Sequence, residues 1–346
     1  MMTKEQQKAY MLKILETIVN IPSPSGYTRE VMDFLTKEAW SMGYPTERTS
    51  KGGLIITVTG KSPDVLGIGA HADTLGAMVR SVTKDGYLKI VPVGGYMMST
   101  IEGEYCKIHC RRNGKTYKGT VLTTKPSVHV YDDCRTQERV PENMQVRIDE
   151  IVENDVQVEA LGIGAGDFIS FAPRFEHTPS GFIKSRHLDD KASVAVVMTL
   201  LKYLNETKQQ PDRTLKIIFT NYEEIGHGAS FLPGDIGEFL AVDMGAVGDD
   251  LTGDETKVSI CAMDSSGPYD YDMTNRLIHI ADERGLAYAV DIFPHYGSDV
   301  SAALRGGNNI RGALIGQGVH ASHGMERTHE QGMVQTLELL KGFVGV

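Results

Sequence analysis

The chain reads as an α/β protein, with a mixed, mostly parallel sheet sandwiched by helices and interrupted once by a β-rich insertion. Three observations predict this. Apolar helices and strands alternate up to about residue 76 and again after His187, as in repeated units around a parallel sheet. Between them, over 76–180, short alternating segments such as YLKIVPV, YCKIHC, YKGTVLTT and DFISFA are separated by Gly, Asn, Asp and Pro, the texture of a compact β module. The length of 346 residues suits about two domains at roughly 150 residues each. The expected division is 1–76 with 181–346 for the discontinuous α/β domain, and 77–180 for the insertion.

Each element has a local reason. Met11, Ile14, Leu15, Ile18 and Val19 follow one helical stripe. That helix stops before Ile21-Pro22-Ser23-Pro24-Ser25-Gly26, where two prolines remove donors and disfavour helix just ahead of them. A second helix is expected over 28–42, with Val31, Phe34, Leu35 and Ala39 on one side. LIITV (54–58) and VLGIGA (65–70) are apolar runs near glycines and read as strands. Inside the insertion, the one helix of useful length is expected over 143–152. Beyond His187 come a helix over 190–204, strands TLKIIFT, FLAVDM and KVSICA, and a helix over 275–284. Strand AYAVDI, a helix over 299–305, strand IRGALI and a closing helix complete the chain.

Composition narrows the function. Hydrophobic residues at 41% and charged residues at 23% are ordinary for a globular chain. The formal charge of −10 argues against duplex nucleic acid as a partner, since phosphate binding needs clustered Lys and Arg. The start lacks a signal-peptide core, and the longest apolar run, 192–201, falls short of the roughly 20 residues that span a bilayer. A cytoplasmic protein with no membrane partner is expected. Cys106, Ile108 and Cys110 alternate like one buried strand face with His109 opposite, so packing is preferred to a zinc site. Cys134 and Cys261 are isolated, and reduced thiols are expected throughout. Gly162-Ile163-Gly164-Ala165-Gly166 follows no strand–helix unit and reads as a turn rather than a nucleotide loop.

Five stretches place carboxylates and histidines at the ends of apolar strands or at a helix start: His71-Ala72-Asp73, His187-Leu188-Asp189-Asp190-Lys191, Asn221-Tyr222-Glu223-Glu224, Val242-Asp243-Met244-Gly245 and His320-Ala321-Ser322-His323 with Glu326 and His329. His71 and Asp73, two apart on extended chain, point the same way, so Asp73 is expected to hold the second imidazole nitrogen. Adjacent glutamates after an apolar strand need a cation to balance them; one can bind metal while its neighbour handles a proton. Hard carboxylates with imidazoles at strand ends of an α/β domain form the expected bed for a catalytic metal pair.

In this order, HxD, DDK, EE, VDxG and a terminal histidine resemble the M42 metallo-aminopeptidases, of deblocking or glutamyl type, relatives of the M20 and M28 di-zinc peptidases. The resemblance spans nearly the whole chain, including SPSGY near the start and the insertion between HxD and DD. It implies the di-zinc exopeptidase fold with an inserted small β-barrel-like domain for oligomerisation or substrate access. It also implies two divalent metal ions per subunit, Zn²⁺ or Co²⁺ with Mn²⁺ as a further option, activating a water that hydrolyses N-terminal residues from peptides. By resemblance His71 binds one metal and Asp73 orients it, Asp189 bridges both, Asp243 completes the first site, Glu224 and His323 hold the second, and Glu223 is the general acid/base. The implied partners are peptides with a free N-terminus and further copies of the chain, from a dimer to a dodecamer.

There are departures from the family pattern. Thr74 stands where the family has Glu, and Lys191, Ala192 and Ser193 stand where it has Arg and then Gly. SHGMERTH replaces His-Ser/Thr-Pro-x-Glu; His323 is preferred to His320 and His329 because Glu326 follows it closely. The alternative reading is a dinuclear amidohydrolase or deacetylase acting on small N-acyl substrates. It shares ligands and base but not the need for a free amine.

Overall fold

The computed structural model describes residues 2–346. Helix α1 (Lys4–Val19) starts in a capping box, with the Thr3 hydroxyl accepting from the Gln6 amide and the Gln6 side chain from the Thr3 amide. Its predicted stripe is buried. Helix α2 (Arg29–Ser41) buries Val31, Met32, Leu35 and Ala39, and Phe34 is only partly covered. Strands β1 (Thr46–Arg48), β2 (Leu54–Val58) and β3 (Ser62–His71) then enter the main sheet.

The chain next builds a closed six-stranded barrel from β4 (Gly76–Val82), β5 (Leu88–Val93), β6 (Tyr105–His109), β7 (Thr116–Thr123), β8 (Met144–Ile148) and β9 (Phe168–Phe171). Around the barrel the order is β4-β5-β8-β7-β6-β9, so no strand edge is left open. Val79, Ile90, Ile108, Val121, Val146 and Ile169 fill it as a core of its own. The helix expected over 143–152 is absent. Met144, Val146 and Ile148 are buried at every second position and pair with β7, a period of two that the longer helical window concealed. The helix between β8 and β9 is instead the short α3 (Asp155–Ala160), capped by the Asn154 side chain. Cys106 and Ile108 face the core, while His109 meets the Ser170 hydroxyl at 2.8 Å. All four cysteines are free and buried, and the Gly162–Gly166 stretch is a loop between α3 and β9.

After the barrel come β10 (Glu176–His177), β11 (Phe182–Ser185), α4 (Leu188–Thr207), β12 (Arg213–Thr220), β13 (Ile236–Ala246) and β14 (Val258–Asp264). The remaining elements are β15 (Gly267–Pro268), α5 (Tyr271–Glu283), β16 (Tyr288–Phe293), α6 (Asp299–Arg305), β17 (Arg311–Val319), β18 (Glu326–His329) and α7 (Glu330–Phe343). The nine-stranded sheet runs β1-β2-β12-β3-β13-β17-β14-β15, with β16 also on β14. Its four central strands β12, β3, β13 and β17 are parallel. Helices α1, α2, α4, α5 and α7 contribute to the core on one face, and α6 packs on the other. Burial on both faces explains why these strands are continuous apolar runs. Helix α4 is enclosed along most of its length and is apolar nearly all round.

Parallel strands present their carboxyl ends together, and ligand sites form there. His71 ends β3 in register with Thr220, which ends β12. Asp243 of β13 lies opposite Gly316 of β17. A Cβ at Gly316 would sit 1.6 Å from the Asp243 carbonyl oxygen, so only glycine permits that approach. Among the described residues no helix is long and apolar enough to cross a membrane.

Candidate active site

The buried His71 imidazole is fixed from both sides. Its Nδ1 meets the Asp73 carbonyl oxygen at 3.0 Å, leaving Nε2 facing Asp189 Oδ1 at 3.0 Å, Glu223 Oε2 at 3.7 Å and Asp243 Oδ1 at 3.9 Å. The other oxygen of Asp189, Oδ2, lies 3.4 Å from His323 Nε2, which is itself 3.5 Å from Glu224 Oε2. Asp189 therefore stands between two imidazoles with one oxygen toward each. Asp243 lies on the His71 side and Glu224 on the His323 side.

Asp73 does not hold the imidazole through its carboxylate, as expected from the HxD spacing. Its Oδ1 is 3.8 Å from Nδ1, and the ring's hydrogen bond goes to the main-chain carbonyl. The carboxylate instead accepts the amides of Glu223 at 3.2 Å and Glu224 at 3.3 Å, and the Ser25 hydroxyl at 2.5 Å. It caps the single 3₁₀ turn Glu223–Ile225, entered through Tyr222 in the left-handed region. Thr74, at the departure from the family pattern, is buried and ties this corner to the Ser23 carbonyl by its amide.

His323 is the histidine brought to the cluster. His320 is exposed and pairs its backbone with Arg327, and His329 caps α7 with Nε2 at 2.9 Å from the Ser180 carbonyl. His323 Nδ1 donates to the carbonyl of Gly95, in the barrel segment between β5 and β6, so the inserted module orients this ring. Glu326 is buried and accepts the His323 amide at 3.1 Å and the Asp189 amide at 3.0 Å, joining the two stretches. Lys191, in place of the family arginine, donates to the Ile18 and Ile21 carbonyls at 2.7 Å each and ties the end of α1 to α4.

Two buried acids escaped the sequence reading. Asp190, completely enclosed, accepts the His71 amide at 3.1 Å and leaves Oδ1 without a partner. Asp299 accepts the Ala229 amide at 2.7 Å and the Thr220 hydroxyl at 2.5 Å, clamping the loop behind the glutamates. The doublet Asp189-Asp190 and the Ser-Asp start of α6 were the available signals, but both look like ordinary helix caps.

No Lys or Arg nitrogen lies within 4.0 Å of Asp189, Glu223, Glu224 or Asp243 among the described residues. Burial and neighbouring carboxylates push Glu223 and Glu224 well above the usual range, and Asp243 to about 7. Burial alone would lower His71, but Glu223, Asp189 and Asp243 hold it well above 6.5. His323 rises against burial to about 10 through Asp189 and Glu224. Glu224 Oε1 is also buried without a partner. Crowded buried carboxylates need protons or a cation. His71, Asp189 and Glu224 form one close donor group, and His71, Asp190 and Asp243 another. This donor chemistry, oxygen and imidazole without thiolate, fits borderline divalent metals.

Such a centre, at the carboxyl edge of a parallel sheet, defines a metal-dependent hydrolase. The chain belongs to the M42 glutamyl aminopeptidase family, whose model matches residues 52–339, and it is a metal-dependent aminopeptidase. The YhfE protein of Bacillus subtilis (strain 168) is 46% identical over 335 residues, covering 96% of each chain. The glutamyl aminopeptidase of Lactococcus lactis subsp. cremoris (strain MG1363) is 27% identical over 218 residues, 61% of this chain and 59% of that one. The solved TET1 peptidase of Pyrococcus horikoshii superposes with a TM-score of 0.84 at 22% identity, over 96% of this chain and 99% of that one. That structure supports the fold, α/β with an inserted barrel.

Proposed function

We propose that the chain is a dinuclear aminopeptidase that removes N-terminal residues from peptides with a free amine. The observation that carries this is the Asp189 carboxylate, placed between His71 and His323 with one oxygen toward each. His71, Asp189 and Asp243 would hold one divalent cation, and Asp189, Glu224 and His323 the other, as Zn²⁺, Co²⁺ or Mn²⁺. When bound, such ions lower the pKa of water and polarise a carbonyl. Glu223, half-buried with a raised pKa and Oε2 toward the cluster, takes the proton of the attacking water and passes it to the leaving amine. Asp73 keeps the Glu223 turn in place, and Gly95 and Glu326 keep His323 in place.

The cleft beside the cluster would receive the substrate's first side chain. It spans about 450 Å³, is lined by Tyr296, Ser298 and Ser322, and carries His295 and Arg305. Arg305 has no carboxylate within 4.0 Å among the described residues. Two dications would offset four of the carboxylate charges of the cluster, and this guanidinium, without a carboxylate of its own, would stand as an unpaired cation in the cleft. Such a cleft favours an acidic N-terminal residue.

The chain divides into 1–76 with 181–346 and an inserted 77–180, a reading supported by the separate barrel core. The TET1 peptidase assembles into a tetrahedron or a large octahedral shell, which supports a homo-oligomer here, and four free buried thiols support a cytoplasmic setting. The test is metal analysis with a peptide digest. Two ions per subunit and release of N-terminal residues from free but not N-acetylated peptides are expected. Cleavage of the blocked peptides alone would favour the amidohydrolase reading.

A further inference from the structure

A second cavity lies where the barrel meets the sheet domain and shares no lining residue with the cleft that carries Arg305. Its volume is about 460 Å³, within the range of small-molecule sites. Val19, Ile21 and Pro22 from the end of α1, and Phe171, Ala172 and Pro173 from the exit of the barrel, form its apolar wall. Thr74, at the entrance to the barrel, closes the third side. The cavity is thus walled by both crossings between barrel and sheet domain. None of the proposed metal ligands lines it.

Its rim has a charge anomaly. Lys107 of β6 and Lys118 of β7 are directly opposite in the antiparallel register, so their side chains leave the same barrel face. At that position Cβ atoms sit roughly 4.5–5.5 Å apart, and like charges are destabilising. Both lysines are exposed, and neither has a carboxylate within 4.0 Å among the described residues. Asp149 also lines the cavity and forms no ion pair there, leaving the rim with one excess positive charge. Lys191 contributes to the floor, with its ammonium already engaged by two carbonyls.

We infer that this interdomain cavity is a binding site for a small organic monocarboxylate with an apolar tail. The tail lies against Val19, Ile21, Pro22 and Phe171, and the carboxylate sits between Lys107 and Lys118. An anion there relieves the repulsion across the strand pair, and the tail packs barrel against sheet domain. Charge complementarity selects this occupant over a neutral lipid or a cationic peptide.

Decanoate, below its micelle concentration, is the probe, measured by isothermal titration calorimetry on the full chain. The protein is used as purified and after chelation, since the site needs no metal. One saturable site per chain is expected, together with a rise in Tm. Lys107→Ala with Lys118→Ala should weaken decanoate at least about 10-fold while leaving decanol binding nearly unchanged. Ala172→Leu, which reduces the apolar space, should weaken both. Peptide hydrolysis by each variant verifies that it is folded. Absence of saturable binding, or equal decanoate affinity in the lysine double variant, overturns the inference. So does loss of assembly in that variant without decanoate binding to the parent, which would assign the cavity to a second copy.

Discussion

The Asp73 carboxylate accepts the backbone amide of Glu223 at 3.2 Å. The residue that ends the histidine corner therefore also sets the turn that carries the proton-handling glutamate. Asp73→Asn keeps one acceptor oxygen but turns an NH₂ toward a donor. We expect kcat to fall about 10–100-fold, the range for groups that orient a metal site, with metal content retained. Ser25→Ala should act in the same direction and less strongly. A change in Tm with kcat preserved would reduce Asp73 to a structural role.

Glu223→Gln preserves shape and removes the proton acceptor. The variant should bind metal normally and lose about 10²–10⁴ in kcat. Steady-state kinetics beside elemental analysis checks this; near-normal turnover in a metal-loaded variant would sink the assignment.

In the metal-free protein, neighbouring acids favour the protonated imidazole of His71 and raise the His323 pKa to about 10. Metal uptake must displace these protons, so affinity should rise with pH and binding should acidify a weakly buffered solution. The His323 pKa rises from 6.5 to about 10 on folding. Its contribution to the stability of the metal-free fold is therefore complete below about pH 6.5 and lost as pH rises through about 10. Melting of chelated protein across that window should show the decline, and saturating Zn²⁺ should remove it.

Arg305→Ala should lower kcat/KM for peptides beginning with Glu by about 10-fold or more, the worth of a hydrogen bond to a charged group. Peptides beginning with Leu should change little. Arg305→Glu should shift preference toward Lys. Equal losses on all three substrates would place Arg305 outside side-chain selection.

Glu238 tests the opposite, amino end of the central strands. Burial pushes its pKa up, but Arg276, Arg213 and Arg311 converge on it and hold it below 4.5. A depressed carboxylate contributes stability above its unfolded pKa and loses it as pH falls through the folded value. Glu238→Gln should cost about 1–3 kcal/mol at neutral pH, with the difference from the parent shrinking in acid. Urea unfolding at both pH values measures it.

Legibility followed the range of the interaction. The α1 stripe, the Pro-rich stop and the apolar strands were readable because each depends on neighbours within a few residues. The helix expected over 143–152 failed because Met144, Val146 and Ile148 satisfy a two-residue period only when β7 lies beside them. His71, Asp189, Glu223, Glu224 and Asp243 stood out as acids and imidazoles at the ends of apolar segments. Asp190 and Asp299 did not, since an aspartate at a helix start is as readily a cap.

The sequence by itself determined the alternation of elements, the interruption by a β module and the chemical type of the site, because periodicity and donor chemistry are local properties. Only the tertiary structure decided which oxygen of Asp73 faces His71, which of three histidines reaches Asp189, and that the barrel's Gly95 orients it. These are contacts between residues distant in the chain, or choices between main-chain and side-chain acceptors. Strand register and the approach of barrel to sheet resolve them, and no pattern along the chain encodes that approach.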